Sequence, residues 1–201
     1  MTTWKNVRSD RQLLLRFAVV ATGLAVALVA YTHFLTRVEQ RQGVAFLDPL
    51  HVLFTPVDLT WVTFSMVYGA VLGASVLVMR EPLALLWAMQ AYTMHTLLRM
   101  MMMWALPLDP PITTIPLIDP VVSAVTSGGA PLTRDLFYSG HVGTLVVLSV
   151  VVPEQWARRT LLVLAALVGV AVLLQHVHYT VDVLVAPIVA ATAARLTRTS
   201  A

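Results

Sequence analysis

Cysteine is absent from this 201-residue chain, lysine occurs once, at Lys5, and only 11% of the residues are charged. The first absence removes disulfides, thiolate metal sites and cysteine nucleophiles from consideration, and leaves the redox compartment open. The second and third exclude a soluble surface, because a water-facing domain of this size carries about 25% charged residues. No basic stripe with interleaved aromatics occurs, so the pI near 9.7 is not the footprint of a nucleic-acid binder. Internal repeats and low-complexity segments are missing as well. What remains is 58% hydrophobic residues and a mean hydropathy of +0.81, which make lipid the solvent for most of the chain.

Inside hydrocarbon only helices and closed barrels satisfy the backbone, and the apolar runs here lack the alternation of a barrel strand. The expected fold is therefore all-α, a bundle of six transmembrane helices forming one integral membrane domain over residues 1–201. The spans fall at about 13–35, 57–79, 83–106, 137–153, 159–175 and 178–196. The fourth and fifth runs are short; Pro153 ends the fourth, and borrowing residues 136–138 lengthens it. The first run is too long for a signal-peptide core and reads as a retained span.

Short cytoplasmic loops carry the Lys/Arg excess of a membrane protein. With the N-terminus inside, Lys5, Arg8, Arg11, Arg16, Arg80, Arg158, Arg159, Arg195 and Arg198 all fall on the cytoplasmic side. The other face keeps Arg37, Arg41 and Arg134, with Asp48, Asp58, Asp109, Asp119 and Asp135. Both termini are expected to be cytoplasmic, with the long connections 37–56 and 107–137 outside. The compact chain points to a bacterial inner membrane.

Two segments break the apolar background, both at span entries on the outer side: Asp135-Leu-Phe-Tyr-Ser-Gly-His141 and His176-Val-His-Tyr-Thr-Val-Asp182. His178 and Asp182 stand four apart, hence on one helical face. The carboxylate can hold one ring nitrogen of His178, leave the other free to attack, and stabilise positive charge on the ring. An acid inside a span is costly unless it has a role, the bland one being to cap or hydrogen-bond a neighbouring helix. Ser139 and Gly140 resemble a helix start, which places His141 in the first turn, where free N–H groups favour an anion. There His141 can protonate a leaving alkoxide or accept a proton from an incoming hydroxyl. Taken singly, either histidine reads more simply as an interfacial residue; the cluster favours catalysis.

Arg99, near the outer end of the third span, requires an anion: a substrate phosphate, Asp135 or Asp182, unless it snorkels to the interface. With Arg99, the residues Asp135, Tyr138, Ser139, Gly140, His176 and Tyr179 form the candidate set for binding phosphate or headgroup. Met100 to Met103 read as adaptable packing. His33, His51 and His95 have no acid at helical spacing and read as structural or interfacial. No metal site and no cofactor are expected.

The two strings resemble the catalytic motifs of the sphingomyelin synthase family, a branch of the type 2 phosphatidic acid phosphatase superfamily. The stretch 92–107, with Arg99 and Leu106-Pro107, is similar to that family's third-helix motif, and Leu47-Asp48-Pro49-Leu50-His51 more weakly to its first extramembrane motif. The resemblance implies six spans with an exoplasmic site, His178 as nucleophile, Asp182 as its orienting acid and His141 as the second catalytic histidine. It further implies transfer of a phospho-headgroup from a membrane phospholipid through a phosphohistidine. Diacylglycerol is released, and a ceramide-like lipid hydroxyl is the acceptor. Thr133, Arg134 and Pro187 depart from the pattern of animal synthases, and the phosphatase branch's Lys-x6-Arg-Pro and Pro-Ser-Gly-His forms are absent. Hydrolysis by a lipid phosphatase or phospholipase C-type enzyme is the same chemistry with water as acceptor. A non-catalytic lipid-binding or transport protein is the reading from outside enzymes.

Overall fold

The computed structural model describes residues 3–119 and 132–198, so the middle of the 107–137 connection lies outside the described residues. Among the described residues there are seven helices and no strand: α1 (Trp4–Ser9), α2 (Arg11–Glu39), α3 (Thr60–Val78), α4 (Pro82–Ala105), α5 (Gly140–Val151), α6 (Gln155–Leu174) and α7 (Thr180–Leu196). Helices occupy all six apolar runs. Of these, α2, α3 and α6 are long and apolar enough to cross a membrane, and α5 is a shorter apolar helix. Their outward faces carry Val19, Val26, Val29, Leu72, Val163 and Leu167 in the open. Exposed apolar surface of that extent, on helices this long, is the surface of an integral membrane protein.

Bundle packing follows from residue size. On α7, Ala186, Ala190 and Ala194 recur every fourth residue and are fully buried, so the backbone of α7 approaches its neighbours α4 and α5 closely. Replacing Ala190 with Leu would force that interface apart, at a cost of about 1–3 kcal/mol. On α5 the residues Val142, Leu145, Val146 and Ser149 are all buried. By contrast α2 stands at the edge of the bundle and rests on α4, burying only Ala27, Leu35 and Val38. The N-terminal α1 folds back on it: Trp4 packs on Phe17 at 5.8 Å and donates its indole N–H to Met79 O at 2.9 Å.

The helix bounds differ from the sequence expectation where polar contacts decide them. The fourth run does not gain residues 137 and 138. Instead Ser139 is the N-cap of α5, because Arg99 Nε donates to Tyr138 O at 3.0 Å and Ser139 N donates to Asp182 O at 3.1 Å. Both contacts hold the segment before Gly140 outside the helical path. α6 starts at Gln155 rather than near 159, taking Arg158 and Arg159 into its first turns. α2 runs past residue 35 to Glu39, whose carboxylate accepts from Thr133 N, Thr133 Oγ1 and Arg134 N at 2.7–3.0 Å.

Candidate active site

The Ser139 to Asp182 backbone bond ties the entry of α5 to the entry of α7, so the two polar strings meet. His141 and His178 line one cavity of about 480 Å³. His141 leans on Phe64, ring centroids 6.0 Å apart. His178 Nδ1 lies 3.3 Å from Asp182 Oδ2, leaving its Nε2 as the nitrogen not engaged by the carboxylate. The same carboxylate oxygen accepts Tyr179 N at 3.0 Å and thereby caps the start of α7. Asp182 is fully buried, and its Oδ1 has no partner among the described residues. Capping and holding the imidazole, set as alternatives by the sequence, are thus done by one oxygen.

Asp48 fixes the same helix start from the opposite side. Its carboxylate takes Thr180 N at 2.5 Å and Thr180 Oγ1 at 2.8 Å. Burial pushes the Asp48 carboxyl up, but these bonds and the one from Leu50 N outweigh it and hold it below its ordinary value.

Arg99 finds its anion in Asp135, 2.6 Å away, and also hydrogen-bonds Tyr31 OH. The guanidinium lies against Gly140: a Cβ there would collide with its Nη1 and Cζ, so any larger residue must displace the arginine or the start of α5. Arg99, Asp135 and Gly140 all line the cavity with the two histidines. Tyr138, Ser139, His176 and Tyr179 do not. Tyr138 OH pairs with His95 Nδ1 at 2.9 Å, Tyr179 OH donates to Asp109 O at 2.9 Å while its ring stacks on Phe46 at 4.0 Å, and Ser139 is buried with an unpartnered Oγ. His176, at φ 56°, stacks on His51 at 4.1 Å and shares a 2.6 Å hydrogen bond with Thr113 Oγ1. Burial lowers the pKa of His51 and of His176, and in His176 the neighbouring His51 lowers it further. Of these four, Tyr138 touches lining residues, through His95 and through its carbonyl, which accepts Arg99 Nε.

Residues 134–199 match the family model described as PAP2 superfamily C-terminal. The matched stretch covers about a third of the chain and contains both polar strings, His141, His178 and Asp182 included. It supports the type 2 phosphatidic acid phosphatase superfamily, and with it a function of the lipid phosphatase or phosphotransferase type. No curated protein and no solved structure matches the chain.

Several lining residues escaped the sequence reading. Tyr92, His95 and Thr96 share the inward face of α4 with Arg99, a spacing that was there to be read once Arg99 was taken as an anchor. His95, expected to be structural or interfacial, is buried and borders the cavity. Tyr31 and the apolar Leu24, Leu28 and Leu35 come from α2, and Tyr68, Val67 and Val71 from α3. α2 leans on α4 and α3 on α6, and side chains of α2 and α3 both line the cavity, which gives it an apolar part beside the histidines.

Proposed function

We propose that the chain is a six-span membrane phosphotransferase, similar to the sphingomyelin synthases, that moves a phospho-headgroup from a glycerophospholipid to a lipid hydroxyl such as ceramide. In this reading both termini are cytoplasmic, and the site faces the exoplasmic side of a bacterial inner membrane. The observation that carries it is the single cavity shared by His141, an acid-held His178 and Arg99, whose lining also includes apolar side chains of α2 and α3 suited to acyl chains. Donor lipid enters between α2 and α3 with its phosphate toward Arg99 and the start of α5. His178 Nε2 attacks phosphorus, and Asp182 stabilises the imidazolium that forms. His141 gives a proton to the departing diacylglycerol oxygen, then takes one from the acceptor hydroxyl, which attacks the phosphohistidine and frees His178. Asp135 must yield its place on Arg99 to the phosphate, an exchange of one anion for another that keeps the buried guanidinium paired.

Product analysis tests this directly. Purified protein in nanodiscs holding phosphatidylcholine, phosphatidylethanolamine or phosphatidylglycerol, with labelled ceramide, should yield diacylglycerol and a labelled phosphosphingolipid in one of the three. Release of the free phospho-headgroup or of phosphate, with ceramide untouched, would replace transfer by hydrolysis, the reading that the family match equally supports. No turnover of any lipid, ceramide present or absent, would overturn both.

A further inference from the structure

A second cavity, also about 480 Å³, lies at the opposite end of the bundle, and nothing in the proposed chemistry uses it. Between Asp182 and Arg195, α7 rises about 20 Å, so the arginine rim of this cavity stands about that far from the catalytic carboxylate, although the two cavity linings adjoin in mid-bundle at Trp87 and Ala88 and at Val146 and Val147. Its walls are apolar, with Leu162 of α6 and Trp87 of α4 among them, and its rim carries Arg158, Arg195 and Arg198.

These three guanidiniums are unspent. Among the described residues none pairs with a carboxylate. Arg158 gives only its Nε, to Val152 O at 2.7 Å, which leaves both Nη groups free. The carbonyls at the end of α7, the usual targets for basic side chains there, are already taken: Trp87 Nε1 donates to Ala194 O at 2.7 Å, and Thr197 Oγ1 to Ala193 O and Ala194 O at 3.0 and 3.1 Å. Arg198 instead lies over the Trp87 ring, 5.4 Å from its centroid, which sets its fork at the cavity mouth. Glu154, the nearest acid in sequence, does not line the cavity.

We infer that this cavity binds the phosphate of an anionic phospholipid from the leaflet at that end of the bundle. Three unpaired forks suit a phosphodiester with no cationic group of its own. The apolar wall below them takes the glycerol and first acyl carbons, and Leu162 of that wall is itself exposed on the outside of α6. A soluble anion would leave this apolar part unfilled.

Thermal unfolding in nanodiscs tests the site. Adding phosphatidylglycerol to phosphatidylcholine discs should raise the Tm of the wild-type protein by about 2–4 °C. Arg195→Gln/Arg198→Gln should match wild type in pure phosphatidylcholine, keep its turnover, and lose the rise; Arg158→Gln should lose part of it. His178→Ala should keep the rise in full, which separates this site from the catalytic one. An undiminished rise in the double variant overturns the assignment. An equal rise from inorganic phosphate in phosphatidylcholine discs overturns the lipid as its source.

Discussion

Two pairs of histidine-centred contacts lie at the same end of this molecule and differ in kind. His178 sits against a buried carboxylate and opens on a cavity; His176, two residues earlier, stacks on His51 with no acid in contact and no access to that cavity. Each ring is almost wholly buried. A buried imidazole is therefore not enough to mark a reactive group. The acid that fixes the ring and the space that admits phosphorus are the features that separate the two.

The comparison is sharpest if the pairs are broken one at a time. His178→Ala should abolish turnover, by at least ~10⁴-fold in kcat, with the Tm within a few degrees of wild type. Asp182→Asn is the more discriminating change. Asparagine can still accept Tyr179 N and cap α7, but it cannot stabilise an imidazolium. A loss of about 10²–10⁴-fold in kcat with the helix intact by circular dichroism is expected, whereas near-normal kcat would reduce Asp182 to a cap.

Next in size is Gly140→Ala. The added methyl meets the Arg99 guanidinium, so the arginine, the start of α5 or both must shift. A displacement on the order of 1 Å there should lower kcat by roughly 10- to 100-fold, and the Tm should fall by only a few degrees. On the other pair, His176→Asn keeps a residue tolerant of positive φ while removing the stack and the Thr113 contact. It should lower the Tm by about 2–4 °C, the equivalent of roughly 1 kcal/mol, with kcat changed less than about threefold. A large kcat loss in His176→Asn would erase the distinction between the pairs.

The sequence carried one half of this contrast and hid the other. Apolar runs bounded by charge marked where the helices lie, and the pairing of His178 with Asp182 was legible, though not by the expected route: α7 begins only at Thr180, so His178 stands before the N-cap and meets Asp182 across the helix start instead of along one helical face. His51 and His176 meet across more than a hundred residues of chain, so no periodicity reports their stack. Tyr31 and Tyr68 went unread for a similar reason: which face of α2 or α3 turns toward the cavity is set by packing among helices that are apolar nearly all round. The start of α5 was misjudged because hydropathy favoured adding Leu136 to Tyr138, while the decisive contacts come from Arg99 and Asp182, far away in sequence. Likewise the role of Asp48 rests on Thr180, which only the fold brings near.

The smallest effect expected is on pH dependence, and a share of it belongs to the stacked pair. Both His51 and His176 have pKa values held below the ordinary 6.5, chiefly by burial. As pH falls through 6.5 the unfolded chain takes up protons that the folded chain refuses. Stability contributed by the stack is therefore complete above that pH and declines below it, toward the lower folded values. Asp48 does not blur the measurement, because its lowered carboxyl adds stability that is lost only below the ordinary carboxylate range. The Tm should thus drop between pH 7.5 and 5.5, and His51→Phe, which keeps an aromatic partner for His176 but removes one titrating ring, should make that drop shallower. A drop as steep in His51→Phe as in wild type would show that the stack contributes none of the pH sensitivity.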